Sequence, residues 1–305
     1  MAIDRRREQR RWANLTPQTK RGVLARKEAI ESELGERLTH FEIVLKTTEP
    51  QARGRKTLDE LRNHSDENGG FVFALFNGCM TMTERFPSLS QSDLARLMFL
   101  GTYTNYDGRL QYDNGRPINR KALESLLNMS RARFSEFYGK LLADGIINDE
   151  NEHGDIYVNP SIFYRGSLDD AEYKLDEYRH TRLFRRTVRN LYERYNGRSI
   201  KQLAIVFAVL PFINFSFNVV CFNPEEQNED RVSPMDLDRL AALLNYKDTQ
   251  KLRTALGSLK LDGKPVFLVI PDVNDKRKRR VIVNPRVVYA GTNPERLAAI
   301  KVLFN

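Results

Sequence analysis

Near its end the chain carries five cations in succession, Lys276, Arg277, Lys278, Arg279 and Arg280. Placed at a hairpin tip, such a run does one thing well, which is to neutralise phosphate. Shortly upstream lie Lys247, Thr249, Gln250, Lys251, Arg253 and Thr254. Arginine pairs in bidentate fashion with guanine and glutamine with adenine, so these are candidate base readers, although residue type alone does not separate base from phosphate contacts. An earlier set, Arg131, Arg133, Ser135 and Lys140, is sparser. Arg5, Arg6 and Arg7 begin a basic segment over residues 1–27 that also holds Arg10, Arg11, Lys20, Arg21, Arg26 and Lys27. So many like charges repel one another, and the segment reads as a mobile arm that tracks phosphates or enters a minor groove, or else as a solvated tail or a surface helix.

Other chemistries find less support. The sequence has no GxxxxGK[ST] phosphate loop, no HExxH and no paired-cysteine metal pattern, so no cofactor is expected and the chain does not read as an enzyme. His40, His64, His153 and His180 are scattered, and Tyr178-Arg179-His180 is weak support for a tyrosine strand transferase. Cys79 and Cys221 lie far apart in apolar settings, as expected of core residues in a reducing cytoplasm. The net charge of +9 and a pI near 9.5 favour an anionic partner. The most apolar run, Leu203 to Ile213, is interrupted by Pro211 and is too short for a bilayer, so a buried helix is expected there. The start has charge but no apolar core or cleavage site, so no secretory signal is expected.

The elements that must position these residues occur twice. IYVNPSIFYRGS over residues 156–167 and VIVNPRVVYAGT over residues 281–292 share five of twelve positions, Val158/Val283, Asn159/Asn284, Pro160/Pro285, Tyr164/Tyr289 and Gly166/Gly291. Proline cannot donate to a ladder, so each copy reads as a strand that leaves its domain at Asn-Pro. Upstream, FVFALF at 71–76 reads as a strand. A helix follows from Ser90 or Ser92, a second contains Leu123, Leu126 and Leu127, and a third runs from Arg131 to Ala143. Asp144-Gly145 stops the third helix, and NDENEHGD makes a hairpin tip whose acids would be repelled by phosphate. In the second copy Ser199 precedes the first helix, and Ser233-Pro234-Met235-Asp236 reads as a serine-capped start of the second. Leu127-Asn128 matches Leu244-Asn245, and Asp144-Gly145 matches Asp262-Gly263.

The expected fold is therefore α+β, mainly α with small antiparallel hairpins, as two tandem winged-helix domains joined by a helix. The expected boundaries are a basic arm and extension over 1–70, a first winged helix over 71–168, a linker helix over 169–198 with its arginines outward, and a second winged helix over 199–305. His40 to Leu45 could be a strand, and residues 28–70 receive no role.

The first unit, from Phe71 through FYRG at Gly166, resembles winged-helix proteins of phages and plasmids of Gram-positive bacteria. The tandem arrangement over residues 71–305 is similar to plasmid replication initiators. That resemblance implies two related winged helices on one DNA molecule, one half mediating dimerisation and the other carrying much of the DNA contact. The expected function is sequence-specific binding of double-stranded DNA, as replication initiator or transcriptional regulator, in the cytoplasm of a bacterial host at its nucleoid. A second copy of the chain, through the first winged helix, and a host replication or transcription protein are further candidate partners; a membrane is not. The competing expectation is a protein-binding adaptor that docks on host polymerase or replication machinery.

Overall fold

A computed structural model describes residues 12–13, 15–37, 59–78, 81–168, 178–197, 199–272 and 279–305. Two compact units are present, residues 1–52 and residues 53–305. In the first, helix α1 (Pro17–Leu34) takes in part of the expected arm. Thr16 caps it by accepting from the Thr19 N–H, Pro17 fits the first turn, and Gly35 ends it in the left-handed conformation. Local capping thus makes residues 17–27 helical despite their charge. Arg5, Arg6, Arg7, Cys79 and the His40 to Leu45 stretch lie outside the described residues.

The second unit contains α2 (59–67), β1 (Phe71–Phe76), α3 (Met82–Arg85), α4 (Gln91–Gly101), α5 (Arg120–Leu127), α6 (Arg131–Ala143), β2 (Ile147–Asn148), β3 (Tyr157–Val158) and β4 (Phe163–Tyr164). It continues with β5 (Arg179–Phe184), α7 (Arg185–Tyr195), α8 (Ile200–Ala208), α9 (Leu237–Leu243), α10 (Thr249–Ser258), β6 (Lys260–Leu261), β7 (Lys264–Pro265), β8 (Phe267–Pro271), β9 (Arg279–Val283), β10 (Val288–Tyr289) and α11 (Pro294–Leu303). The chain is mixed, with helices and small antiparallel sheets, an α+β arrangement.

Its centre is a four-stranded antiparallel sheet in the order β10-β5-β1-β4. β1 and β5 pair over their full length, from Phe71 opposite Phe184 to Phe76 opposite Arg179. Phe73 also pairs with Tyr164, and Arg182 with Tyr289. Two expectations are corrected here. Residues 179–184 are a strand and not part of a linker helix, because FVFALF needs a partner for its ladder and RHTRLF supplies it, burying Thr181 and Leu183. Nor does the repeated segment leave its domain at Asn-Pro. Asn159 and Asn284 turn the chain by accepting from the Ser161 and Arg286 N–H groups, and the segment returns as β4 or β10.

On one face of the sheet Val72, Ala74, Leu183 and Val288 join a core with Leu94, Leu97 and Met98 of α4 and Leu203, Val206 and Phe207 of α8. α4 lies so close to β4 that a Cβ on Gly101 would overlap the ring of Phe163. Leu203 to Ile213 is buried as expected, but the helix stops at Ala208 and Pro211 sits in a 3-10 turn. α2 binds the second half of this unit. His64 Nε2 lies 2.9 Å from the Pro285 carbonyl, Asn68 Nδ2 lies 3.3 Å from His64 Nδ1, and Asn68 Oδ1 accepts from Thr187 and Arg286. Residues 59–70 are thereby packed into this second unit. Among the described residues no helix is long and apolar enough to cross a membrane.

Candidate nucleic-acid interface

Both halves present a helix pair joined by a tight turn. In the first, the Asn119 side chain caps α5 by accepting from the Ala122 N–H at 3.0 Å, and Leu123 and Leu127 point inward. Asn128 then takes a left-handed conformation (φ 50°), for which asparagine is suited, and α6 begins at Arg131. Burial of Phe134, Phe137, Tyr138 and Leu141 fixes the rotation of α6 and turns Arg131, Arg133, Ser135 and Glu136 to solvent. No ion pair engages Arg131 or Arg133 among the described residues, whereas Lys140 bonds Glu136 at 2.7 Å.

The β2–β3 hairpin beside α6 spends part of its acidity internally. Asp149 accepts from the Tyr138 hydroxyl at 2.6 Å, and burial together with that carboxylate drives the phenol pKa well above its ordinary value. Asp155 pairs with Arg109 at 3.1 Å, and Asn151 closes the tip by accepting from the His153 and Asp155 N–H groups. Glu150 and Glu152 remain exposed.

The second half repeats the pair. α9 is capped by Asp236, which accepts from the Arg239 N–H at 2.9 Å. The serine cap read at Ser233 is corrected, since Cys221 and Pro234 form a bridge, the Met235 N–H donates to the Val220 carbonyl, and the chain is still extended there. Asn245 (φ 57°) makes the turn, and Asp248 caps α10 through the Lys251 N–H at 2.7 Å. That hydrogen bond leads the effects that hold the Asp248 pKa below its usual value. Leu252, Ala255 and Leu256 are buried, so Gln250, Lys251, Arg253, Thr254 and Gly257 face outward, with Lys247 exposed on the turn and Thr249 half-buried. Lys251 reaches Asp248 at 3.4 Å; Lys247 and Arg253 show no ion pair among the described residues.

The β8–β9 hairpin runs from Phe267 opposite Val283 to Pro271 opposite Arg279. Lys276, Arg277 and Lys278 lie outside the described residues. Arg279 is half-buried at the end of β9. Arg280 departs from the expectation of a phosphate contact: it is 4% exposed, its Nε donates to Asp272 at 2.5 Å, and its Nη1 lies 3.6 Å from Glu229. A buried guanidinium with its own carboxylate has no free donor face for a backbone phosphate, so the five-cation run is interrupted at its last member.

Sequence reading missed a second cationic feature. Arg185, expected on the solvent side of a linker helix, is 5% exposed, and Arg189 lies one turn further along α7. Arg185 Nε and Arg189 Nη2 each donate to the Thr102 carbonyl at 2.7 Å, and the Arg189 guanidinium lies 3.7 Å from the centre of the Tyr103 ring. Their spacing of four residues was visible, but the Thr102 carbonyl that draws them inward comes from a distant part of the sequence. Among the described residues no group of three or more His, Cys, Asp or Glu side chains could hold a metal ion. Comparison with protein-family models, with characterised proteins and with solved structures returned no match for this chain.

Proposed function

We propose that this chain binds double-stranded DNA sequence-specifically through two winged-helix units, as a replication initiator or transcriptional regulator of a phage or plasmid, working in the bacterial cytoplasm at the nucleoid. The observation that carries the reading is the outer face of α10 with its leading turn, where Lys247, Gln250, Lys251 and Arg253 point away from the core. A helix held by its inner side, with cationic and amide groups outward and a basic hairpin following in the chain, suits a major groove with phosphates alongside.

A further detail supports close docking. Gly139 on α6 and Gly257 on α10 are exposed, and a Cβ on either would meet nothing within 4 Å, so internal packing does not require glycine. Glycine in an exposed helix costs about 1 kcal/mol relative to alanine, and what it offers in exchange is close approach of another surface to the helix backbone. The first unit has fewer free cations and an acidic hairpin, which suits it to contact between copies of the chain or to lighter DNA contact.

The test is to recover and sequence fragments of the source genome retained by the purified protein at near-physiological salt. A few repeated sites beside an AT-rich stretch indicate an initiator; sites overlapping promoters indicate a regulator. A protein neutralising several phosphates loses affinity by orders of magnitude between about 50 and 200 mM salt. No enrichment, with affinity for host polymerase or replication proteins that resists salt, replaces this reading with the protein-binding adaptor.

A further inference from the structure

A cleft of about 920 Å³ lies beside the start of α7 and the turn at residues 112–116, and the DNA-binding reading leaves it without a role. Arg165, Arg185 and Arg189 line it, and one carboxylate, Asp113, answers two of them, 2.5 Å from Arg185 Nη2 and 2.7 Å from Arg189 Nη1. Burial first, then the facing guanidiniums of Arg189 and Arg165, hold the Arg185 pKa below its ordinary value, and the whole lining sets five arginines, with Arg109 and Arg186 among them, against the three carboxylates of Asp107, Asp113 and Glu193. Arg109 Nε, in the same lining, is buried without a hydrogen-bond partner among the described residues. An ion-pair network that only braced a turn would not carry such a surplus of charge.

Asp113 itself is 64% exposed, on a turn that Gly115 makes with φ +87°, so packing does not lock it in place. Its carboxylate sits where two arginines hold the oxygens of a phosphate. Beside this seat Tyr106 is 67% exposed, with the Arg165 guanidinium 4.4 Å from its ring centre.

The geometry points to a binding site for a nucleoside polyphosphate, whose phosphates displace the Asp113 carboxylate from Arg185 and Arg189 and engage Arg165 while the base stacks on Tyr106. The volume falls within the range of about 300–1,000 Å³ typical of small-ligand sites. Cations gathered around one seat fit a compact polyphosphate, whereas tracking a single strand calls for cations spread along a groove. The inference stands on this cleft and not on the DNA-binding reading.

The experiment is titration calorimetry of the 305-residue chain with ATP, GTP, inorganic triphosphate and a short single-stranded oligonucleotide. Nucleotides bind, and inorganic triphosphate binds about tenfold more weakly because the stack is lost. Arg165→Gln weakens nucleotide binding about tenfold or more. Tyr106→Ala weakens it about tenfold while leaving inorganic triphosphate unchanged. Asp113→Asn, which removes the competing charge, tightens binding severalfold. Neither Arg165 nor Tyr106 is buried, so both variants fold, which circular dichroism verifies. The proposal is overturned by absence of nucleotide binding to the folded chain, by oligonucleotide binding without nucleotide binding, by indifference to Arg165→Gln, or by weaker binding in Asp113→Asn.

Discussion

Arg280→Gln separates a cation that holds the hairpin from the cations proposed to hold DNA. Both partners of the pair are nearly out of water, Arg280 at 4% and Asp272 at 7% exposure, and the bond between them is 2.5 Å long. Removing one member of a buried pair strands the other charge and costs about 3–5 kcal/mol. Glutamine keeps a donor near Asp272, so a loss of about 3 kcal/mol is expected, read as a lower urea midpoint. Adding Asp272→Asn removes the stranded charge and returns a large part of that loss, which a double-mutant cycle quantifies. Affinity for DNA across a salt series behaves differently. Each phosphate contact contributes about 0.9 to the slope of log K against log salt. Neutralising Lys276, Arg277 and Lys278 together therefore flattens the slope by about 2.7, while Arg280→Gln leaves the slope of the folded fraction unchanged. A variant at Arg280 with an unchanged urea midpoint and a slope flatter by about 0.9 would refute the assignment of this arginine to the interior.

Three further outcomes are expected. Burial holds the His64 pKa down at about 4, below its ordinary value of 6.5, so the folded chain binds fewer protons there than the unfolded one. The stability this neutral imidazole contributes is complete above about pH 6.5 and falls by about 3 kcal/mol as pH drops toward 4, and His64→Gln flattens that part of the stability curve in denaturant titrations. Gly101→Ala destabilises by about 1–3 kcal/mol because the new methyl group meets the Phe163 ring, whereas Gly257→Ala stabilises by up to about 1 kcal/mol yet weakens DNA binding. Thermal melts and binding titrations distinguish the two, and tighter DNA binding in Gly257→Ala would discard close docking of α10. Gln250→Ala or Arg253→Ala relaxes sequence preference by about 1–3 kcal/mol at one base pair, scored by competition with single-site variants of the selected DNA; uniform weakening across all sequences would mark a phosphate contact instead.

The helix pairs were legible because their signals are local. Apolar spacing, an asparagine that tolerates a left-handed turn and an Asp-Gly stop each act within a few residues, and α6 runs from Arg131 to Ala143 as read. The central sheet was not legible. RHTRLF is followed by arginines at helical spacing, and only its pairing with a strand more than a hundred residues earlier makes it β-structure. The interior role of Arg280 was hidden for a similar reason: in a run of like charges, nothing distinguishes one member until register sets it opposite Ile270, near Asp272. Residues 59–67 gave no signal at all, since what holds them comes from far along the chain: the Pro285 carbonyl beside His64, Lys301 beside Glu67, and the apolar cluster of Leu297 and Ile300 beneath Leu61.

The register of the central sheet has a consequence for how the halves came to differ. Tyr164 and Tyr289 are equivalent positions of the repeat, and their partners Phe73 and Arg182, thus also equivalent, pair with each other. A strand that meets its own counterpart in antiparallel fashion is how two identical subunits meet about a two-fold axis. β1 and β5 thus pair, within one chain, in the pattern of a strand pair at a two-fold dimer seam. In a true dimer every substitution appears twice; here it appears once, and each half is free to change while the shared strands keep them joined. The segment after α6 is acidic and the corresponding stretch of the second copy carries a run of cations in its sequence, an asymmetry that a pair of identical subunits could not carry.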